Sequence, residues 1–201
     1  MNRDDFVFNF AFGYGALPKD EHDLKQSHHL WLDSIVYGGD KTEFHEIVEA
    51  NSIPEKGDKY YMKGIGRGKN IRYISYFYNI LEQYQSVSPH LIFVLDWKAD
   101  VPTLKWHIEK ALAGTDFKPV LPPSESYPGD ASILYGFDAN DKTSLGPVFK
   151  DYTIALDYCG LQLILIESYG DEFVFYIHKT GTPLEWTKTA LFFRSLSCYP
   201  R

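Results

Sequence analysis

Apolar positions along this chain recur with two different periods, and each period specifies a different kind of element. In the segment from Pro18 to Tyr37, Leu24, Trp31, Leu32, Ile35 and Val36 fall on one face of a helix that Gly38-Gly39 stops. Asp40, with Glu43 three positions later, has the form of a capping box, opening a second helix to about Ala50 that buries Phe44, Ile47 and Val48. Asn70 caps a third helix to about Gln85. Here Ile71, Ile74, Tyr78 and Leu81 make one stripe, and Tyr73, Phe77, Ile80 and Tyr84 make another beside it. An apolar arc that wide is either central in the core or offers an aromatic face to a partner.

The strand-like runs have a different character. Leu91–Leu95 is apolar without alternation, the pattern of a strand covered on both faces, and it ends in Asp96-Trp97-Lys98 just before the next helix. Asp100 caps that helix, Pro102 lies in its first turn and Gly114 ends it, with Leu104, Ile108, Ala111 and Leu112 on the buried face. Phe6–Phe12 reads as an N-terminal strand and Phe117–Leu121 as a short one. A helix over Leu145–Cys159 buries Val148, Phe149, Tyr152, Ala155 and Leu156 before Gly160 closes it. A hairpin follows, Leu161–Glu167 and Glu172–His178 around Ser-Tyr-Gly-Asp. Thr182-Pro183-Leu184-Glu185 is a second capping box and predicts a C-terminal helix to about Ser195.

These elements predict one layered domain over residues 1–201, of α/β (or α+β) class. The expected architecture is a mixed sheet of about four to five strands with an antiparallel C-terminal hairpin, flanked by about five to six helices, each burying its apolar stripe on a sheet face. A chain of 201 residues can bury enough surface to fold without disulfide or metal. Cys159 and Cys198 have no metal-ligand spacing and suit a reducing compartment, Cys159 reading as a small core hydrophobe. Two acids near the N-terminus oppose a signal peptide, and no apolar run is long enough to span a bilayer. A cytoplasmic location is expected. The net charge of −7, from 27 acids against 20 bases, disfavours general nucleic-acid binding. Aromatics, 16% of residues, enrich both cores and protein interfaces.

Several segments carry candidate chemistry. Asp96 and Lys98, two apart at a strand end, could hold a divalent metal and polarise a phosphate, as in nucleases that pair an acid-x-Lys with a second acid. Asp58 or Glu55 upstream and Glu167 downstream are the available acids. Against this, a helix separates Asp58 from Asp96, and Asp96 equally serves to brace a strand-to-helix turn. Lys63–Asn70 holds three glycines before a helix, an anion-cradle composition, but it lacks the phosphate-loop Gly and Ser/Thr and reads as a surface loop. His22, His28 and His29 lie on the first helix, and His45 and Glu49 stand at a permitted ligand spacing without a third ligand; His107 and His178 stand alone. Asp138-Ala-Asn140-Asp141 lacks the Gly and distal Glu of a calcium loop. No cofactor and no metal is expected.

Two segments together, the strand ending Asp96-Trp97-Lys98 before a Trp-bearing helix and the hairpin around Ser168-Tyr-Gly-Asp171, resemble an uncharacterised family of small bacterial domains of unknown function, of the immunity and accessory kind. The resemblance spans residues 70–178 at most. It implies a protein of the cytoplasm that works by binding, and it brings no catalytic residues. The expectation is therefore a non-catalytic module recognising another protein, with Tyr73, Tyr76, Phe77 and Tyr84 as contact surface and Asp96 and Trp97 nearby. The alternative is a metal-dependent phosphoesterase or nuclease using Asp96, Lys98 and Glu167. Oligomeric state is open.

Overall fold

The computed structural model describes residues 6–14, 18–57, 70–96, 99–127, 146–166, 172–181 and 192–200. The elements in chain order are β1 (Phe6–Tyr14), α1 (Glu21–Ser34), α2 (Thr42–Ala50), α3 (Asn70–Val87), β2 (Phe93–Asp96), α4 (Val101–Leu112), α5 (Gly146–Asp157), β3 (Leu161–Ile166), β4 (Glu172–Lys179) and β5 (Phe192–Pro200). The fold is a mixture of helices and strands, as the two periodicities require.

Capping fixes where the helices start. The Asp20 carboxylate accepts from the Asp23 N–H at 2.8 Å, and Glu21 and Asp23 add negative charge to the first turn of α1. Asp100 accepts from both the backbone N–H and the hydroxyl of Thr103, at 2.9 and 2.6 Å, and Pro102 sits in the first turn of α4. Before α2, Asp40 receives the N–H and hydroxyl of Thr42 at 3.0 and 2.8 Å, so the local cap is an Asp–Thr pair rather than the expected box with Glu43. Gly160, at φ +71°, turns the end of α5 into β3.

The described strands pair in the order β1-β5-β3-β4-β2, and every described pairing is antiparallel. This corrects the expected mixed sheet. The unbroken apolar run at 91–95 arises because both faces are covered, not because the strand is parallel: Phe93 and Leu95 join one core and Leu91 and Ile92 the other. Two further expectations fail. Residues 117–121 form no strand and run instead as an irregular segment whose Phe117 and Leu121 pack on the core beside α4. The C-terminal helix was to reach Ser195, but Phe192–Pro200 is β5, held between β1 and β3; residues 182–191 lie outside the described residues. Over 192–195 the non-local pairing with β1 and β3 decides the structure.

Helices cover both faces of the sheet. On one face, Leu161, Leu163 and Leu165 of β3 and Phe175 and Ile177 of β4 pack under α4 and α5. On the other, Ile164, Ile166, Val174 and Tyr176 pack under α1, α2 and α3. The link from α1 to α2 passes the sheet edge, where Ile35 bridges His178 and the Val36 N–H donates to the Ile177 carbonyl at 2.8 Å. Gly38 then lies so close to the end of α4 that a Cβ there would sit 1.7 Å from the Ala113 carbonyl oxygen. Gly38 is thus a packing requirement and not the expected helix stop, since α1 already ends at Ser34, where Ile35 turns extended to meet β4. Among the described residues no helix is long and apolar enough to cross a membrane.

Candidate functional site

The aromatic helix α3 turns its rings inward. Tyr76, Phe77 and Tyr84 are fully buried and Tyr73 is half-buried, its hydroxyl donating to the Pro18 carbonyl at 3.4 Å. The expected contact surface on these residues is therefore withdrawn, because α3 is the helix that fills the aromatic face of the sheet. Trp31 lies tilted against Phe77 at 5.7 Å between ring centroids and edge-on to Tyr176 at 5.8 Å, while Phe44 meets Tyr84 edge-on at 5.3 Å. Burial raises the Tyr84 phenol well above its ordinary range.

Asp96 is exposed at the end of β2, directly opposite the exposed Glu172 of β4 in the antiparallel register. Two carboxylates thus flank one sheet corner. Trp97, Lys98, Glu167 and Asp58 lie outside the described residues, as do most of the glycine-rich stretch (58–69) and the acidic turn at 138–141. Glu55, the other upstream acid, forms an ion pair with Arg72 on α3.

At the opposite end of β2 stands an aromatic group. Trp106 on α4 is 47% exposed, and the His90 ring meets it edge-on with centroids 4.4 Å apart. His90 Nδ1 hydrogen-bonds His107 Nδ1 at 3.1 Å, and His107 stacks on Phe93 at 5.4 Å, which stacks in turn on Phe175 at 5.9 Å. A ladder of rings so runs from the surface into the core. Burial first, and then the neighbouring His90, lowers His107 to about 4, against the pull of the Pro89 carbonyl. Burial, and then Lys110, lowers His90 as well.

The remaining histidines separate cleanly. His22 is exposed. His28 is buried beside Trp31 and Tyr76; its Nδ1 donates to the Leu24 carbonyl at 3.2 Å, its Nε2 has no partner, and burial lowers it to about 4. His29 and His45 meet across the junction of α1 and α2, with Nδ1 atoms 2.7 Å apart. His45 and Glu49, four apart on α2, do not pair with each other: His29 takes Glu49 at 2.6 Å and His45 takes Asp33 of α1 at 3.1 Å. The sequence spacing found two members of this quartet, and the other two came from a helix whose crossing no local pattern encodes. Among the described residues no group of three or more His, Cys, Asp or Glu is placed to hold a metal ion.

Asn51, Asn79 and Gln83 bond to one another through their side-chain amides, Asn79 and Gln83 donating to the Asn51 carbonyl oxygen at 2.9 and 3.0 Å. With Glu82 and Ser86 they line a polar depression of about 400 Å³ between α2 and α3. Because most of the amide capacity is spent internally, this depression reads as a helix-to-helix tie.

Compared with known proteins, this chain matches no family model, no curated protein and no solved structure.

Proposed function

We propose that the chain, as a single domain over residues 1–201, is a non-catalytic binding module of the cytoplasm that recognises another protein, of the immunity or accessory kind. The observation that carries this reading is Trp106, a large ring left 47% exposed on α4 and braced edge-on by His90. Exposed, pre-positioned tryptophan is the residue type that anchors protein interfaces. β2, the end strand of the pairing order, runs about 10 Å from Phe93 to Asp96 at a strand rise of roughly 3.3 Å per residue, and Asp96 lies there opposite Glu172. The net charge of −7 favours a basic partner surface with a pocket for the indole.

The test is affinity capture from the source cell with wild type, Trp106→Ala and Asp96→Ala, with thermal unfolding as control. Capture of one discrete protein, lost in Trp106→Ala at unchanged unfolding temperature and weakened by salt, supports the reading. Equal capture by all three overturns it. The same samples, scanned with Mg²⁺ and Mn²⁺, address the phosphoesterase built on Asp96, Lys98 and Glu167, which the apposed carboxylates at the β2 corner favour. A metal at 100 times its dissociation constant stabilises by about 2.7 kcal/mol, and loss of that shift in Asp96→Ala would move the assignment to an enzyme.

A further inference from the structure

Four side chains run in a line across the α1–α2 junction: Asp33, His45, His29 and Glu49. Three hydrogen bonds join them. His45 Nε2 meets Asp33 Oδ1 at 3.1 Å, the two Nδ1 atoms meet at 2.7 Å, and His29 Nε2 meets Glu49 Oε1 at 2.6 Å. The rings lie at 22° to each other with centroids 5.0 Å apart.

Counting protons decides what this geometry requires. Ionised carboxylates only accept, so each Nε2 must carry a proton. A 2.7 Å contact between two ring nitrogens is a hydrogen bond only if one of them donates and the other accepts. Three ring protons are needed in all. Two neutral imidazoles carry two, and two imidazolium rings carry four. We infer that His29 and His45 share a single proton and one positive charge, so that the α1–α2 contact is a pH-gated clasp that closes in the neutral band and loosens on both sides of it.

On the acid side a fourth proton sets two N–H groups face to face between the Nδ1 atoms. On the alkaline side two protons must serve three bonds, and one contact becomes lone pair against lone pair. Cations stand beside both carboxylates. Lys25 and His22 of α1 lie within the field of Glu49, the Lys25 ammonium donating to the Glu49 backbone carbonyl at 2.9 Å and pairing with Glu21 at 3.4 Å. Lys41 of α2 lies within the field of Asp33 and donates to the Leu32 and Ile35 carbonyls at 2.7 and 2.6 Å. His28 on α1 and Tyr76 on α3 are also titratable neighbours, and both are uncharged at neutral pH. Phe44 and Val48 of α2 are fully buried against this face of the sheet, so loosening the clasp loosens the lid over that core.

A double-mutant cycle over wild type, His29→Gln, His45→Gln and the double variant, unfolded by urea across pH, reads the coupling between the rings. The expected coupling is about fivefold in the unfolding constant at its maximum near neutral pH, and it fades toward acid and toward alkali. A coupling that is flat, or that grows steadily toward acid as two independent ion pairs would make it, overturns the inference. Imidazole nitrogen resonances of folded, labelled wild type provide a reading that needs no variant. Both Nε2 atoms protonated with one proton averaged over the two Nδ1 atoms supports the shared proton, and four protonated nitrogens, or two, overturns it.

Discussion

The two faces of the sheet bury comparable sets of large side chains but treat polar atoms differently. Under α4 and α5 the core is Val, Leu, Ile and Phe, and its two tyrosines reach outward: Tyr127 donates to Asp151 at 2.8 Å and Tyr152 to the Pro122 carbonyl at 3.3 Å. Under α1, α2 and α3 the core contains Trp31, Tyr76, Tyr84, Tyr176 and His28, and the Nε2 of His28 and the hydroxyl of Tyr84 are buried with no hydrogen-bond partner. The difference teaches that ring volume alone does not define a core. The second face buries more polar ring atoms than the first, whose own exceptions are the unpartnered Thr153 hydroxyl of α5 and His107 beside Phe93.

Volume is the term the two faces share, and deleting it has the largest expected effect. Phe175→Ala on the first face and Trp31→Ala on the second should each lose about 3–5 kcal/mol, read as a shift in urea midpoint at pH 7. Similar losses would show that packing is equivalent and that the contrast lies in the polar atoms. A loss below 2 kcal/mol on either face would show that its helices repack.

Acid should then act through one buried histidine on each face. The unfolded chain protonates His28 at about 6.5, whereas the buried native ring resists until about 4. Between those values the unfolded state binds more protons, so stability falls as pH falls; above 6.5 neither state is protonated and the contribution is absent. The loss is about 3 kcal/mol when complete. His28→Leu should remove most of that slope. His107, also lowered to about 4 and buried against Phe93 of the first face, should add a comparable slope, so His107→Leu should remove a similar share. A slope left unchanged by either variant would show that the other histidine carries the acid sensitivity.

Much of this contrast is legible in the chain and some is not. The burial of Leu24, Trp31 and Leu32, and of Leu104, Ile108 and Leu112, follows from spacing alone, because a helix stripe is a local property. The inward turn of Tyr76, Phe77 and Tyr84 does not: an arc apolar on two stripes fits a buried helix or a docking face, and only the neighbours decide. His29 and His45 are 16 residues apart, and their contact depends on a crossing set by the Gly38 turn against Ala113. Likewise β5 takes its identity from β1 and β3 on either side, which no local window at 182–195 contains.

The finest test removes one oxygen from each face. The Tyr152 hydroxyl has an acceptor in the Pro122 carbonyl, so Tyr152→Phe should cost about 1 kcal/mol, the net worth of an ordinary hydrogen bond. The Tyr84 hydroxyl is buried with no partner, and Tyr84→Phe removes a desolvated polar group without breaking a bond. That substitution should be neutral or stabilising by up to about 1 kcal/mol. Opposite signs from the same chemical change would place the difference between the two cores in polar satisfaction rather than ring packing. A destabilised Tyr84→Phe would mean that its hydroxyl finds a buried water, in which case the two tyrosines would no longer distinguish the faces.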